Sequence, residues 1–268
     1  MTTQMVTSAI ASDQPGSDPI SEGPDSQLVA SHVMTLLNAR RIVRGLSLTA
    51  LVLILLGIVG QWSLSRPDFP GRDLLAGLTD PGGESNLAAA FSAGLLVSAA
   101  GLFALIASAK RQDVYARVWR GLAWVFAYLA VDEFAMLHER TVVFIRDALG
   151  AEATQGILHH AWVLPYAVFC VVVFSSTARF LLHLPSRTRL LILLAGALYV
   201  GGALGFEMLE GPIAAKYGVE NNVIRTMIVV EEILEVTGVI LLISALLEYM
   251  RTHLAGVRFD FGLQNGRP

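Results

Sequence analysis

The sequence predicts an all-α, polytopic membrane protein with six transmembrane helices and both termini in the cytoplasm. Three observations carry that prediction. Hydrophobic residues make up 54% of the chain and charged residues only 15%, against about 25% charged in soluble domains. Six stretches come near the ~20 residues needed to cross ~30 Å of hydrocarbon; they are 43–64, 87–109, 119–142, 161–183, 188–210 and 223–248. Lys and Arg concentrate in alternate connections.

Residues 1–26 are polar, acidic and rich in Ser, Thr, Pro and Gly, which predicts disorder. They hold no apolar signal-peptide core, so the first span is expected to direct insertion itself. Residues 27–41 read as a juxtamembrane extension of span one. The alternative is a surface helix with Leu28, Val29, Val33, Leu36 and Leu37 as its apolar stripe. The expected organisation is a cytoplasmic segment over 1–38, a six-helix domain over 39–250 and a short cytoplasmic tail over 251–268.

Spans one and two carry no acids. Spans three, five and six are interrupted by acids but keep apolar flanks and lack a central proline. Arg40, Arg41 and Arg44 precede span one, and Lys110, Arg111, Arg117 and Arg120 join spans two and three. Arg179, Arg187 and Arg189 surround the next basic connection, and Arg251 and Arg258 follow span six. The connection 65–86 is acidic instead. This pattern places both ends inside the cell (inner) membrane. Trp62 and Trp162 are expected at the outer interface, with Trp119 and Tyr249 at the inner one. Gly94 with Ser98, and Gly201 with Gly205, are four apart and predict close helix packing.

A net charge of −3 without a basic block excludes a nucleic-acid partner. A single cysteine, Cys170, excludes disulfides and thiolate metal sites. No Walker, Rossmann, serine-protease or haem-attachment motif is present.

The most informative feature is acid inside apolar helix: Asp132, Glu133, Glu231, Glu232 and Glu235. Each charge near the bilayer centre costs about 2.5–3.5 kcal/mol on insertion scales. Five of them, unpaired, would cost more than ~12 kcal/mol, as much as a typical domain's stability. The predicted orientation brings these acids, with Glu139, Glu207, Glu210, His138 and one of His159 and His160, to the outer half of the membrane. On unbroken helices Asp132 and Glu139 share a face, and so do Glu231 and Glu235. Carboxylates stacked on facing helices beside histidines are how bundles build metal sites. The expected metal ligands are therefore Asp132, Glu133, His138, Glu139, His160, Glu207, Glu210, Glu231 and Glu235, and the expected cofactor is a divalent Fe, Mn or Zn ion. Interfacial solvation is the plainer reading for Glu139, Glu207 and Glu210. Glu232 has an alternative as the ion-pair partner of Arg225, seven residues away on the same face.

The stretch Val131-Asp132-Glu133-Phe-Ala-Met-Leu-His138-Glu139 resembles a motif of uncharacterised bacterial multi-pass membrane proteins, in which Asp-Glu precedes His-Glu within one helix. Glu231-Glu232-Ile-Leu-Glu235 is similar to the Glu-rich helix that accompanies it. The resemblance implies no activity; it implies that the two acidic helices belong together. Short matches between spans two and five, and three and six, hint at an inverted repeat, with chance similarity among apolar helices as the plainer reading.

Three functions share these residues. The first is a metal-dependent membrane enzyme, an oxidoreductase or hydrolase acting on a lipid-like substrate, or a metal sensor. The second is a cation- or proton-coupled transporter or channel. The third is a non-catalytic subunit whose acids meet a membrane partner or a second copy.

Overall fold

The computed structural model describes residues 39–254 apart from 65, 67, 84, 151–155, 219 and 220. The expected N-terminal segment over 1–38 and the tail from 255 lie outside the described residues. Among those described the chain is helical throughout, without a strand. In chain order the helices are α1 (Ala39–Leu64), α2 (Arg72–Thr79), α3 (Leu87–Ala109), α4 (Ala116–Ala135), α5 (Leu137–Leu149) and α6 (Val163–His183). A 3-10 turn at Gly156–Leu158 precedes α6. Then follow α7 (Ser186–Val200), a π-helical segment (Gly201–Phe206), α8 (Glu207–Tyr217) and α9 (Asn222–His253).

Asparagines start the two core-forming helices. Asn86 Oδ1 accepts from the Ala89 N–H at 3.0 Å, and Asn221 Oδ1 accepts from Val223 and Ile224 N–H at 3.0 Å each. Each cap satisfies N–H groups that a helix start leaves without partners.

Helix α9 is the central element. It packs against α1, α3, α7 and the π segment, while α3 and α4 form a hairpin beside it. The core joins Leu96, Phe103 and Ile106 of α3 to Trp119 of α4, Phe180 of α6 and Ile243 and Leu246 of α9. Gly238 sets the α7–α9 spacing. A Cβ there would lie 2.8 Å from both the Ala195 carbonyl oxygen and the Tyr199 nitrogen. In lipid, where tails are as apolar as side chains, such close backbone approach is a main source of helix association.

Four helices are long and apolar enough to cross a membrane: α1, α3, α6 and the continuous Ser186–Tyr217 rod. The bent pair α4–α5 makes a fifth if it is one broken span. The count thus falls short of the six expected. At 32 residues α9 has the length, but it is not among these helices.

Trp119, expected at the inner interface, is 1% exposed, 4.7 Å edge-on to Phe180 and 5.2 Å from Tyr249, itself buried. Trp162 is buried too, while Trp62 is 51% exposed. Gly94 and Ser98 face outward, and neither Gly94, Gly201 nor Gly205 has a neighbour that a Cβ would touch. The two halves do not repeat in shape, since α4–α5 is sharply bent and α9 is unbroken.

Candidate functional site

The expected third span, 119–142, is broken. Met136 takes the left-handed conformation (φ 55, ψ 41), which costs a non-glycine residue about 1–3 kcal/mol. The chain turns there by 81° from α4 into α5. Asp132, in the last turn of α4, bridges the break. Its Oδ1 accepts the His138 backbone N–H at 2.8 Å, and its Oδ2 lies 3.3 Å from His138 Nδ1. The carboxylate satisfies a donor at the start of α5, as a helix cap does. Glu139 therefore does not stack on Asp132 through two helical turns; it follows the bend and stands exposed.

The second irregularity lies opposite. At the π segment, a Cβ on Gly202 would come 2.8 Å from Glu235 Cγ and 3.0 Å from the Glu231 carbonyl oxygen. Glycine is what lets this segment lie directly on the acidic turn of α9. Extra π-type turns inside helices are frequent at functional sites. The segment leads straight into Glu207 and Glu210. Gly211-Pro212 does not end the helix: α8 continues to Tyr217 with Pro212 inside it. There the proline removes one backbone hydrogen bond without stopping the chain's turn.

Gly211 also seats the turn before α6. A Cβ at Gly211 would collide with the Gly156 carbonyl oxygen and lie 2.9 Å from His159 Cβ. This contact brings His160 Nδ1 to 2.8 Å from Glu207 Oε2. The pair is at ion-pair distance although Oε2 has no well-aligned hydrogen bond. Burial disfavours the His160 imidazolium, but Glu207 and Glu210 outweigh it and lift its pKa above the usual histidine value. His159 takes the opposite course, lowered by burial and by the charge of His160.

These elements line an open-sided chamber of about 830 Å³. Asp132, Glu133, His138 and Glu139 line it from α4 and α5, His160 from the turn, Glu207 and Glu210 from α8, and Glu231, Glu232 and Glu235 from α9. Every side chain expected in the site is there, and of the two candidate histidines before α6 only His160 is. Among the described residues, no Lys or Arg lines it. So many carboxyls around one low-dielectric space cannot all stay ionised without protons or a counter-charge. Glu210 is the most exposed to this problem: it is 4% accessible and its Oε1 has no hydrogen-bond partner among the described residues.

The chamber has two ends. On α4, Leu122, Phe126 and Leu129 precede the acids, and on α9, Val239 and Leu242 follow them. Trp162 at the start of α6 and Tyr166 on it lie at the acidic end, and Phe174 and Leu181 at the other. On the Ser186–Tyr217 rod, Ile192 and Ala195 come before Glu207 and Glu210. The acidic end is lined with aromatic groups, His138 being 4.7 Å from Trp162 and Trp162 5.2 Å from Tyr166, whose hydroxyl meets that of Tyr128 at 2.8 Å. Trp162, Tyr166 and Phe169 were not anticipated as site residues. Their signal is the recurrence of chamber-lining positions at 162, 166, 169, 170, 171, 173, 174, 177 and 181, mostly along one helical stripe.

The acids and imidazoles meet in pairs, Asp132 with His138 and Glu207 with His160. Among the described residues no three His, Cys, Asp or Glu side chains converge where a metal ion could be held.

A family described as "domain of unknown function (DUF8692)" matches residues 45–249, and the chain belongs to that family. The match takes in α2 to α8 whole, with most of α1 and α9, and every lining residue of the chamber. Neither a curated protein nor a solved structure matches the chain.

Proposed function

We propose that this member of the family is an inner-membrane carrier that binds a cation in its acidic chamber and exchanges it for protons. The observation that supports it is the lining itself: carboxyls from four parts of the chain around one cavity, with no Lys or Arg among the described lining residues. A bound cation or shared protons relieve that charge, and the two states alternate. A helix broken at a membrane-embedded site, as at Met136, is a recurring construction in secondary transporters. In this reading the protein has six spans and cytoplasmic termini. Helix α9 crosses the membrane despite its acids because they face the chamber and not lipid. The test is coupled flux in proteoliposomes: an outward proton gradient drives uptake of tetramethylammonium, and Glu231→Gln/Glu235→Gln abolishes it. Uptake equal to that of empty liposomes would overturn the proposal.

A second reading, a metal site with an enzymatic or sensing role, is favoured by the two carboxylate–imidazole pairs facing the same space. It stands second because the donors converge in twos among the described residues. Near-stoichiometric Fe, Mn or Zn in purified protein, lost in Glu231→Ala/Glu235→Ala, would reverse that order.

A further inference from the structure

We infer that the cation is the head of an amphiphile, an amine or quaternary ammonium carried on an apolar body, seated head-first among the acids with its body along the apolar half of the chamber. The inference rests on the cation-carrier reading and adds the chemistry of the cargo. Three observations converge on it.

The first is size. A chamber of about 830 Å³ is in the range of pockets that enclose drug-sized molecules, roughly 300–1,000 Å³, and far exceeds the space of a single ion. A bare inorganic cation would leave the remainder wet against Leu122, Phe126, Phe174, Leu181 and Leu242, all of which line it.

The second is the common polarity of four chain segments. Along α4, the Ser186–Tyr217 rod and α9 the acids lie toward one end, where Trp162 and Tyr166 also stand, and Leu122, Phe126, Phe174, Leu181 and Leu242 line the other. A ligand complementary to that gradient has one charged pole and one apolar pole.

The third is what waits at the acidic end. Glu210 is 4% accessible, lines the chamber and keeps Oε1 without a partner among the described residues. A buried carboxylate oxygen in that state needs a donor or a cation. Trp162 and Tyr166, 5.2 Å apart and edge to face, stand at the same end. Aromatic faces beside carboxylates are the chemistry that recognises ammonium groups through cation–π attraction. Small inorganic ions, which hold their water tightly, gain little from such a wall.

The test is isothermal titration of the full chain in lipid nanodiscs, with empty nanodiscs subtracted for partition into lipid. Octyltrimethylammonium, tetramethylammonium and octanoate are the probes. Octyltrimethylammonium is expected to bind at least tenfold more tightly than tetramethylammonium, and octanoate not to bind. Glu210→Gln should weaken both cations at least tenfold. Phe174→Ala, at the apolar end, should weaken only the octyl compound. Equal affinities for the two cations would overturn the amphiphile while leaving the cation carrier standing. Octanoate binding as well as octyltrimethylammonium would overturn the charged head. Failure of every cation to bind folded, monodisperse protein would overturn both readings.

Discussion

Asp132 and His138 hold together two helices that meet at 81°, one carboxylate oxygen accepting the His138 backbone N–H at 2.8 Å and the other lying 3.3 Å from its ring. The side chain acts as a cap across a break. Losing a cap costs about 0.5–2 kcal/mol, and here the strained Met136 turn loses its brace as well. Asp132→Ala is therefore expected to lower the melting temperature in detergent by several degrees. Asp132→Asn, which keeps an acceptor for the backbone N–H, should lose less than half as much. Equal losses would mean that the ring contact, and not the cap, holds the bend.

Glycines of the π segment and α8 separate into two kinds. Gly202→Ala places a methyl 2.8 Å from Glu235 Cγ, and Gly211→Ala drives one into the Gly156 carbonyl. Overpacking of this sort typically costs about 1–3 kcal/mol. Gly201→Ala and Gly205→Ala meet nothing within 4 Å and should leave stability unchanged or slightly raised. Thermal unfolding of the four variants checks the contrast.

The His160–Glu207 contact makes stability depend on pH. Its folded pKa is raised above 6.5, so the stabilisation is fully present below 6.5 and is lost as pH rises through the folded value. The melting temperature should fall over that window. Glu207→Gln removes the partner and should flatten the slope. An unchanged slope in that variant would assign the pH dependence to another group.

Trp119 and Trp62 should behave oppositely. Truncating Trp119, 1% exposed between Phe180, Tyr249 and Phe103, is expected to cost about 3–5 kcal/mol. Trp62→Ala removes a half-exposed ring packed against Phe69 and under Arg66, and should cost under about 1 kcal/mol. Denaturation of the two variants measures the difference.

The positions of the acids were legible because charge in an apolar run is costly wherever it falls, and cost points to a shared remedy. Asp132 through Glu235 meet in one chamber for that reason. The break at Met136 was not legible: Val131 to Glu139 contains neither Gly nor Pro, and the bend depends on a side-chain cap formed only in the folded chain. The contact glycine was also hidden. Gly201, Gly202 and Gly205 look alike in sequence, and the phase shift of the π segment decides that Gly202 meets α9. Trp119 and Trp162 sit where a belt residue would, at span ends, and their burial is a property of their neighbours.

Cys170 looks into the chamber proposed to attract cations. It is the chain's single cysteine and one of the lining residues, so it reports on that space without background. The measurement is its rate of modification by 2-aminoethyl methanethiosulfonate, a cation, and by the anionic 2-sulfonatoethyl reagent, each relative to a free thiol in solution. The account predicts that the cationic reagent is favoured at least tenfold and that Glu231→Gln/Glu235→Gln removes most of the preference. Equal relative rates in the wild-type protein, or a preference untouched by that variant, would contradict it.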